Sequence, residues 1–175
     1  MTSQVPHVDF SQVAQLNALY LRSQAAAQEI GSTEAWGTPK WGRGDVSEAL
    51  ARIPFLVFNP TCDLAELVRS PVLPDGPVDE RRFQVALSLL LFVRESTAAP
   101  AALCIVTSIT EAEIVAIRSA GITDLVAAAR DPRLAFRPTR IGTELLTSPD
   151  PANATALVLD HLMTARIERM TALSS

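Results

Sequence analysis

The sequence predicts a mainly α-helical protein. It reads as two tandem copies of one small helical unit, related by a pseudo-two-fold, each with a short extended segment, followed by a long C-terminal helix. Three observations lead there. Apolar residues recur at helical spacing behind recognisable caps. Ala49–Pro71 aligns without gaps on Ala127–Pro149, 78 positions later, with 12 identities in 23 residues. Each copy also holds a short Pro-bracketed phrase, "PFLVFNP" and "PRLAFRP". In the second, apolar and polar side chains alternate as they do along a half-buried strand.

A second block of identity lies upstream at offset 72. Gln12-Val13-Ala14 matches Gln84-Val85-Ala86, Leu19 matches Leu91, Tyr20 stands against Phe92, and Arg22 matches Arg94. The offsets differ by six, so the second copy carries about six extra residues between the blocks. The units are residues 1–71 and 81–149, with a Pro-rich connector over 72–80 and the C-terminal helix over 150–175. A solenoid needs about three repeats. Two copies suit a pair packed like a homodimer fused into one chain.

The elements follow in order. Val13, Leu16, Leu19, Tyr20 and Ala27 mark the first helix, with Asp9 or Ser11 as its cap. Asp45 and Glu48 form a capping box that opens a helix running to Arg52. The counterpart of the first helix spans Asp79 to Glu95 and is apolar nearly all round, which predicts a central position. Pro100 opens a helix over 101–107. Thr110 and Glu113 box the next, over 111–120, which is expected to stop at a left-handed Gly121. Thr123 is expected to cap a helix over 124–130. The two phrases are short or at an edge, because proline donates no ladder bond, and they are suited to pair as an antiparallel ribbon. Asp150-Pro151 opens the last helix, whose apolar stripe is Leu159, Leu162, Met163, Ile167 and Met170.

Bulk composition excludes some classes. The chain has 175 residues, 48% of them hydrophobic, enough for one ordinary domain or two very small ones. A net charge of −4 gives no global attraction to nucleic acid, though a local patch remains open. The N-terminus reads as no signal peptide, and the longest apolar run, Leu89–Val93, is too short to cross a bilayer. The expectation is a soluble, cytoplasmic protein without a membrane partner. Cys62 and Cys104 do not make a disulfide framework and read as buried thiols.

No catalytic set emerges, and the chain reads as a non-enzyme with neither cofactor nor metal. Neither His7 nor His161 has a Cys or carboxylate nearby in the sequence at metal-ligand spacing. The stretch Trp36-Gly-Thr-Pro-Lys-Trp-Gly-Arg-Gly44 holds a phosphate loop's ingredients in the wrong order, since Lys40 precedes the last glycines. It presents Trp36 and Trp41 to a partner or folds them onto the core; with Phe55 they are the candidate partner-binding residues. Arg130, Arg133, Arg137 and Arg140 form a local basic patch where the first copy has Arg52, Phe55, Asn59 and Cys62. Such a patch suits DNA phosphates. It equally suits a solvated edge guarded by arginines against sheet pairing.

Residues 86–170 resemble FlhD, the helical subunit of the bacterial flagellar master regulator. The resemblance runs through "ALSLLLFVRE", "APAALCIVTSI", "TEAEIVAIRSAGI" and "DLVAAARDPRLAFRP", and "LNALYLRSQAA" resembles the family's opening helix again. It implies an all-α subunit that dimerises and joins a zinc-binding, DNA-binding partner of the FlhC kind to activate transcription, with DNA bound as part of that complex. The internal duplication departs from the family, so one chain would do what two family chains do; further self-association stays open. The family's intersubunit cysteine maps onto neither Cys62 nor Cys104, and no disulfide is carried over. The expected function is a transcription-regulator subunit. The alternative is a non-DNA adaptor or assembly protein, of the secretion-apparatus type, using an apolar and Trp-bearing surface.

Overall fold

Six helices and one two-stranded ribbon make up the described residues, 7–29, 53–139 and 142, of the computed structural model. The expected helix over 45–52, the loop over 36–44, Arg140 and the C-terminal helix lie outside them. Helix α1, Phe10–Glu29, starts where Asp9 accepts from the Ser11 and Gln12 amides. Strand β1 is Phe58–Pro60, and a six-residue helix, α2, follows at Leu64–Arg69. Its cap Asp63 accepts from the Ala65 and Glu66 amides. The sequence reading has no counterpart for α2.

Helix α3, Glu80–Glu95, is capped by Asp79 and buries Val85, Ala86, Leu89, Leu90, Phe92 and Val93. It packs against α1 on one side and two later helices on the other, so the all-round apolar helix is central as expected. Helix α4, Pro100–Thr107, begins with its proline in the first turn. Helix α5, Glu111–Ser119, begins with the Thr110–Glu113 capping box. Helix α6, Ile122–Arg130, and strand β2, Phe136–Pro138, complete the order.

Two expectations are corrected at the α5–α6 junction. Gly121 is not a left-handed stop: its φ is −70°, Ala120 already ends α5, and Gly121 opens α6 instead. The α6 cap is therefore Gly121 rather than Thr123, with the Asp124 carboxylate accepting from the Gly121 amide at 3.1 Å. The left-handed residue is Ser108, φ 58°, at the end of α4.

The two phrases pair with each other. The ribbon β1–β2 is antiparallel, with Phe58 opposite Pro138, Asn59 opposite Arg137 and Pro60 opposite Phe136. Asn59 and Arg137 are aligned residues of the sequence repeat, and they sit at its centre. The flanking bonds are symmetric in the same alignment: the Thr61 amide donates to the Ala135 carbonyl at 3.0 Å, and the Thr139 amide to the Val57 carbonyl at 2.9 Å. Hydrogen-bonded pairs alternate along an antiparallel ladder. Pro60 and Pro138 thus fall at the non-bonded pairs, where a missing N–H costs nothing. Phe58 stacks on Tyr20 at 4.4 Å and meets Phe136 edge-on at 5.4 Å, which ties the ribbon to α1. Asn17, fully buried in α1, donates to the Phe55 carbonyl and accepts from the Val57 amide, both at 2.9 Å. Gly142 is required by close approach: a Cβ there would overlap the Val57 carbonyl oxygen.

Candidate functional site

Two surfaces carry the chemistry that the described residues offer. The first is the bent unit α4–turn–α5. Eight helical residues are followed by Ser108-Ile109-Thr110 and nine more helical residues, with the axes turned by 110°. A three-residue turn between helices at this angle is the geometry of a helix-turn-helix. Ser108 makes the turn by taking a left-handed conformation, and its amide donates to the Cys104 carbonyl at 2.9 Å. The Thr107 hydroxyl donates to the Leu103 carbonyl and accepts from the Ile109 amide, bracing the corner from inside. Leu103, Ile109, Ile114 and Ile117 are all at most 1% exposed and form the inner side of the bend.

Glu113 fixes this unit to the rest of the fold. One carboxylate oxygen accepts from the Thr110 amide and hydroxyl at 2.8 and 2.7 Å; the other accepts from the Leu64 amide at 2.9 Å. One buried carboxylate thus serves the N-termini of both α5 and α2, where negative charge is favoured. Arg118 works at the other end of α5, donating to the Val93, Ser96 and Ala98 carbonyls and capping the C-terminus of α3. The outer face of α5 is left with exposed Glu111, Ala112, Val115 and Ser119.

The second surface is the arginine-rich segment, whose members take different roles. Arg133 is engaged internally: its guanidinium donates to Asp131 at 2.8 Å and to the Ser70 carbonyl at 2.8 Å, and it reaches Glu66 at 3.5 Å. Asp131 is fully buried and also accepts from the Val72 and Arg133 amides. Burial pushes the Asp131 carboxyl up, but the Arg133 guanidinium and those two N–H groups outweigh it, and its pKa lies below the ordinary carboxylate value. Arg130 is exposed and lies over the Phe83 ring at 5.6 Å. Arg137 is exposed at the centre of the ribbon, and its guanidinium has no hydrogen bond or ion pair among the described residues. Of the four predicted contacts, Arg137 therefore has a free cation, Arg130 a ring-stacked one and Arg133 a committed one; Arg140 lies outside the described residues.

Of the candidate partner-binding residues, Phe55 is 2% exposed and belongs to the core, so it presents no ring to a partner. Its phrase is covered because Asn17 and the Val106 carbonyl hold its backbone from two sides. Trp36 and Trp41 lie outside the described residues. The sequence reading missed the helix-turn-helix. Its signal was present in the spacing of Leu103, Thr107, Ile109, Ile114 and Ile117 around the Thr110 cap.

Among the described residues no group of three or more His, Cys, Asp or Glu side chains is arranged to hold a metal ion. No single described helix is long and apolar enough to cross a membrane; α4 and α5 reach that composition only as a bent pair. No protein-family model matches the chain, and no curated protein or solved structure matches it.

Proposed function

We propose that the chain is a non-enzymatic subunit of a transcription-regulating complex, contributing a helix-turn-helix scaffold and a few phosphate contacts while a partner supplies base readout. The observation that carries this reading is the exposed cation at the centre of the ribbon, with the 110° bend of α4–turn–α5 around a buried apolar corner as the scaffold. Arg137, exposed and unengaged, is the phosphate contact best supported, with Arg130 and Arg140 beside it in sequence. The resemblance to FlhD supports the same assignment, with an FlhC-like zinc-binding subunit as the partner. The symmetric pairing of aligned residues in the ribbon supports two fused copies acting as a pseudo-dimer.

A specific observation favours the second reading, a protein adaptor. Outside its internally engaged Arg118, α5 has no cation, and Ile105, Val115 and Ile122 are 57%, 59% and 50% exposed. Those side chains suit a protein surface better than a DNA groove.

Salt-dependent DNA binding separates the two. The chain is purified with whatever partner stays bound after nuclease treatment, and its affinity for fragmented DNA of the source organism is measured against salt. The regulator reading expects a steep slope that Arg137→Ala reduces by about 0.9, the value for one lost phosphate contact. Absence of DNA binding by the complex at low salt refutes it and leaves the adaptor. A steep slope that Arg137→Ala leaves unchanged removes this residue from the interface.

A further inference from the structure

The repeated phrase divides by face. The positions that alternate with Phe58 on one face are the same in both copies: Leu56 and Leu134, Phe58 and Phe136, Pro60 and Pro138. The positions between them all differ: Phe55 and Arg133, Val57 and Ala135, Asn59 and Arg137. On this second face Phe55 and Val57 are buried, while Arg133, Ala135 and Arg137 are exposed. Asn59 and Arg137 stand opposite each other at the ribbon centre. They form a hydrogen-bonded backbone pair, so their side chains leave the same face from Cα atoms about 5.5 Å apart. Asn59 is oriented as a donor. Its Oδ1 is enclosed and finds no partner, while its Nδ2 is neither enclosed nor hydrogen-bonded among the described residues. Leaving an acceptor buried and unpaired is costly. The amide N–H groups are thereby turned outward beside the unengaged Arg137 guanidinium. The acids that follow β1 are occupied elsewhere: Asp63 accepts from the Ala65 and Glu66 amides, and Glu66 reaches Arg133 at 3.5 Å.

We propose that Asn59 and Arg137 together bind one phosphate group of a nucleic-acid backbone, a proposal that rests on the regulator reading for the source of that phosphate. Arginine and asparagine side chains are both donors to phosphate oxygens. The guanidinium supplies a charge-assisted bond and the carboxamide a neutral one. The position on the pseudo-two-fold explains why the pair is unlike. Two identical chains would place the same residue there twice, and two arginines directly opposite each other would repel. Fusion into one chain permits one cation beside one neutral donor. The single positive charge of that pair matches the single negative charge of a backbone phosphodiester.

A double-mutant cycle on DNA affinity tests this, using the chain with whatever partner stays bound after nuclease treatment. Asn59→Ala is expected to weaken binding on the order of 5-fold without changing the salt slope, because a neutral donor displaces no counterion. In an Arg137→Ala background the same substitution is expected to have almost no effect, because the shared phosphate is no longer held there. Asn59→Asp is expected to weaken binding at least as much as Arg137→Ala, since the new carboxylate captures the guanidinium and repels the phosphate. That change is isosteric and stands if the alanine variant fails to fold. Full affinity in either Asn59 variant, or equal losses from Asn59→Ala in both backgrounds, overturns the proposal and leaves the regulator reading in place. A complex that binds no DNA refutes the regulator reading instead. The side-chain amide resonances of Asn59, followed by NMR as inorganic phosphate is added to the full chain, then decide the site. Shifts that Arg137→Ala removes keep the site and assign it a free phosphate; unmoved resonances overturn it.

Discussion

Replacing Glu113 by alanine tests the claim that one carboxylate joins the helix-turn-helix to the core. Glu113 is 2% exposed and accepts hydrogen bonds from the Leu64 amide, the Thr110 amide and the Thr110 hydroxyl. The alanine variant orphans them unequally. Thr110 is exposed, so water replaces its lost partner, and the loss there is that of a helix cap, about 1 kcal/mol. Leu64 is fully buried, so its amide has no substitute and costs about 1–3 kcal/mol. The expected total is roughly 2–4 kcal/mol, a fall in Tm on the order of 5–12 °C for a chain of this size. Urea unfolding followed by circular dichroism reads it as a lower midpoint with unchanged slope. Glu113→Gln keeps one acceptor oxygen and should lose about half as much. Glu111→Ala, on the exposed face two residues away, should change stability by less than ~0.5 kcal/mol. A loss below ~1 kcal/mol for Glu113→Ala would refute the reasoning, because a buried orphan amide cannot be that cheap.

The remaining expectations are simpler. Tyr20 is buried and its hydroxyl finds no hydrogen-bond partner among the described residues, while the aligned residue of the second copy is Phe92. Tyr20→Phe should therefore be neutral or stabilising by up to ~1 kcal/mol in the same urea assay, and a loss above that would mean a partner exists. Gly142→Ala forces a methyl group into the Val57 carbonyl and should cost about 1–3 kcal/mol, read as a lower thermal midpoint; an unchanged midpoint would show that the ribbon can yield. Asp131 has its folded pKa depressed below 3.8, so its contribution is complete above that value and fades as pH falls through the lower folded value. Urea midpoints of Asp131→Asn should accordingly lie below those of the unmodified chain at neutral pH and converge on them in acid. Parallel curves would disprove the linkage.

Local chemistry was legible in the sequence, and tertiary chemistry was not. Asp9, offered as a cap alongside Ser11, and the Thr110–Glu113 box act within one turn, so local spacing pointed to them. The pairing of the two phrases was also readable, because the phrase is written twice, its second copy alternates, and the bracketing prolines keep each segment short. Gly121 misled because glycine is most common just past a helix end yet is also accepted as an N-cap; the immediate start of α6 decided for the N-terminal role. Ser108 was unreadable as a left-handed residue, since that conformation is imposed by the corner that Thr107 and Ile109 hold. Helix α2 was overlooked although "DLAELVR" carries its cap. The four arginines are alike in sequence, yet only packing separates them. Arg133 is captured by a carboxylate buried two residues before it and by the Ser70 carbonyl 63 residues away.

That separation bears on what the helix-turn-helix can do. Base-specific recognition in the major groove rests mainly on Arg, Lys, Asn and Gln reaching base edges. The outer face of α5 offers Glu111, Ala112, Val115 and Ser119, and its only arginine is consumed by three carbonyls of the α3 end. The unit therefore has the shape of a groove reader without its vocabulary, and Glu111 would meet phosphates with the wrong sign. Under the regulator reading, the attraction to DNA must then come from the ribbon and its neighbourhood, where Arg137 is unengaged, and α5 must face a protein. Under the adaptor reading, α5 does the same and Arg137 guards the ribbon edge. Both readings give α5 a protein partner, so mapping that contact alone cannot choose between them. Only the counterions released at Arg137 can, which makes the salt slope the more informative measurement.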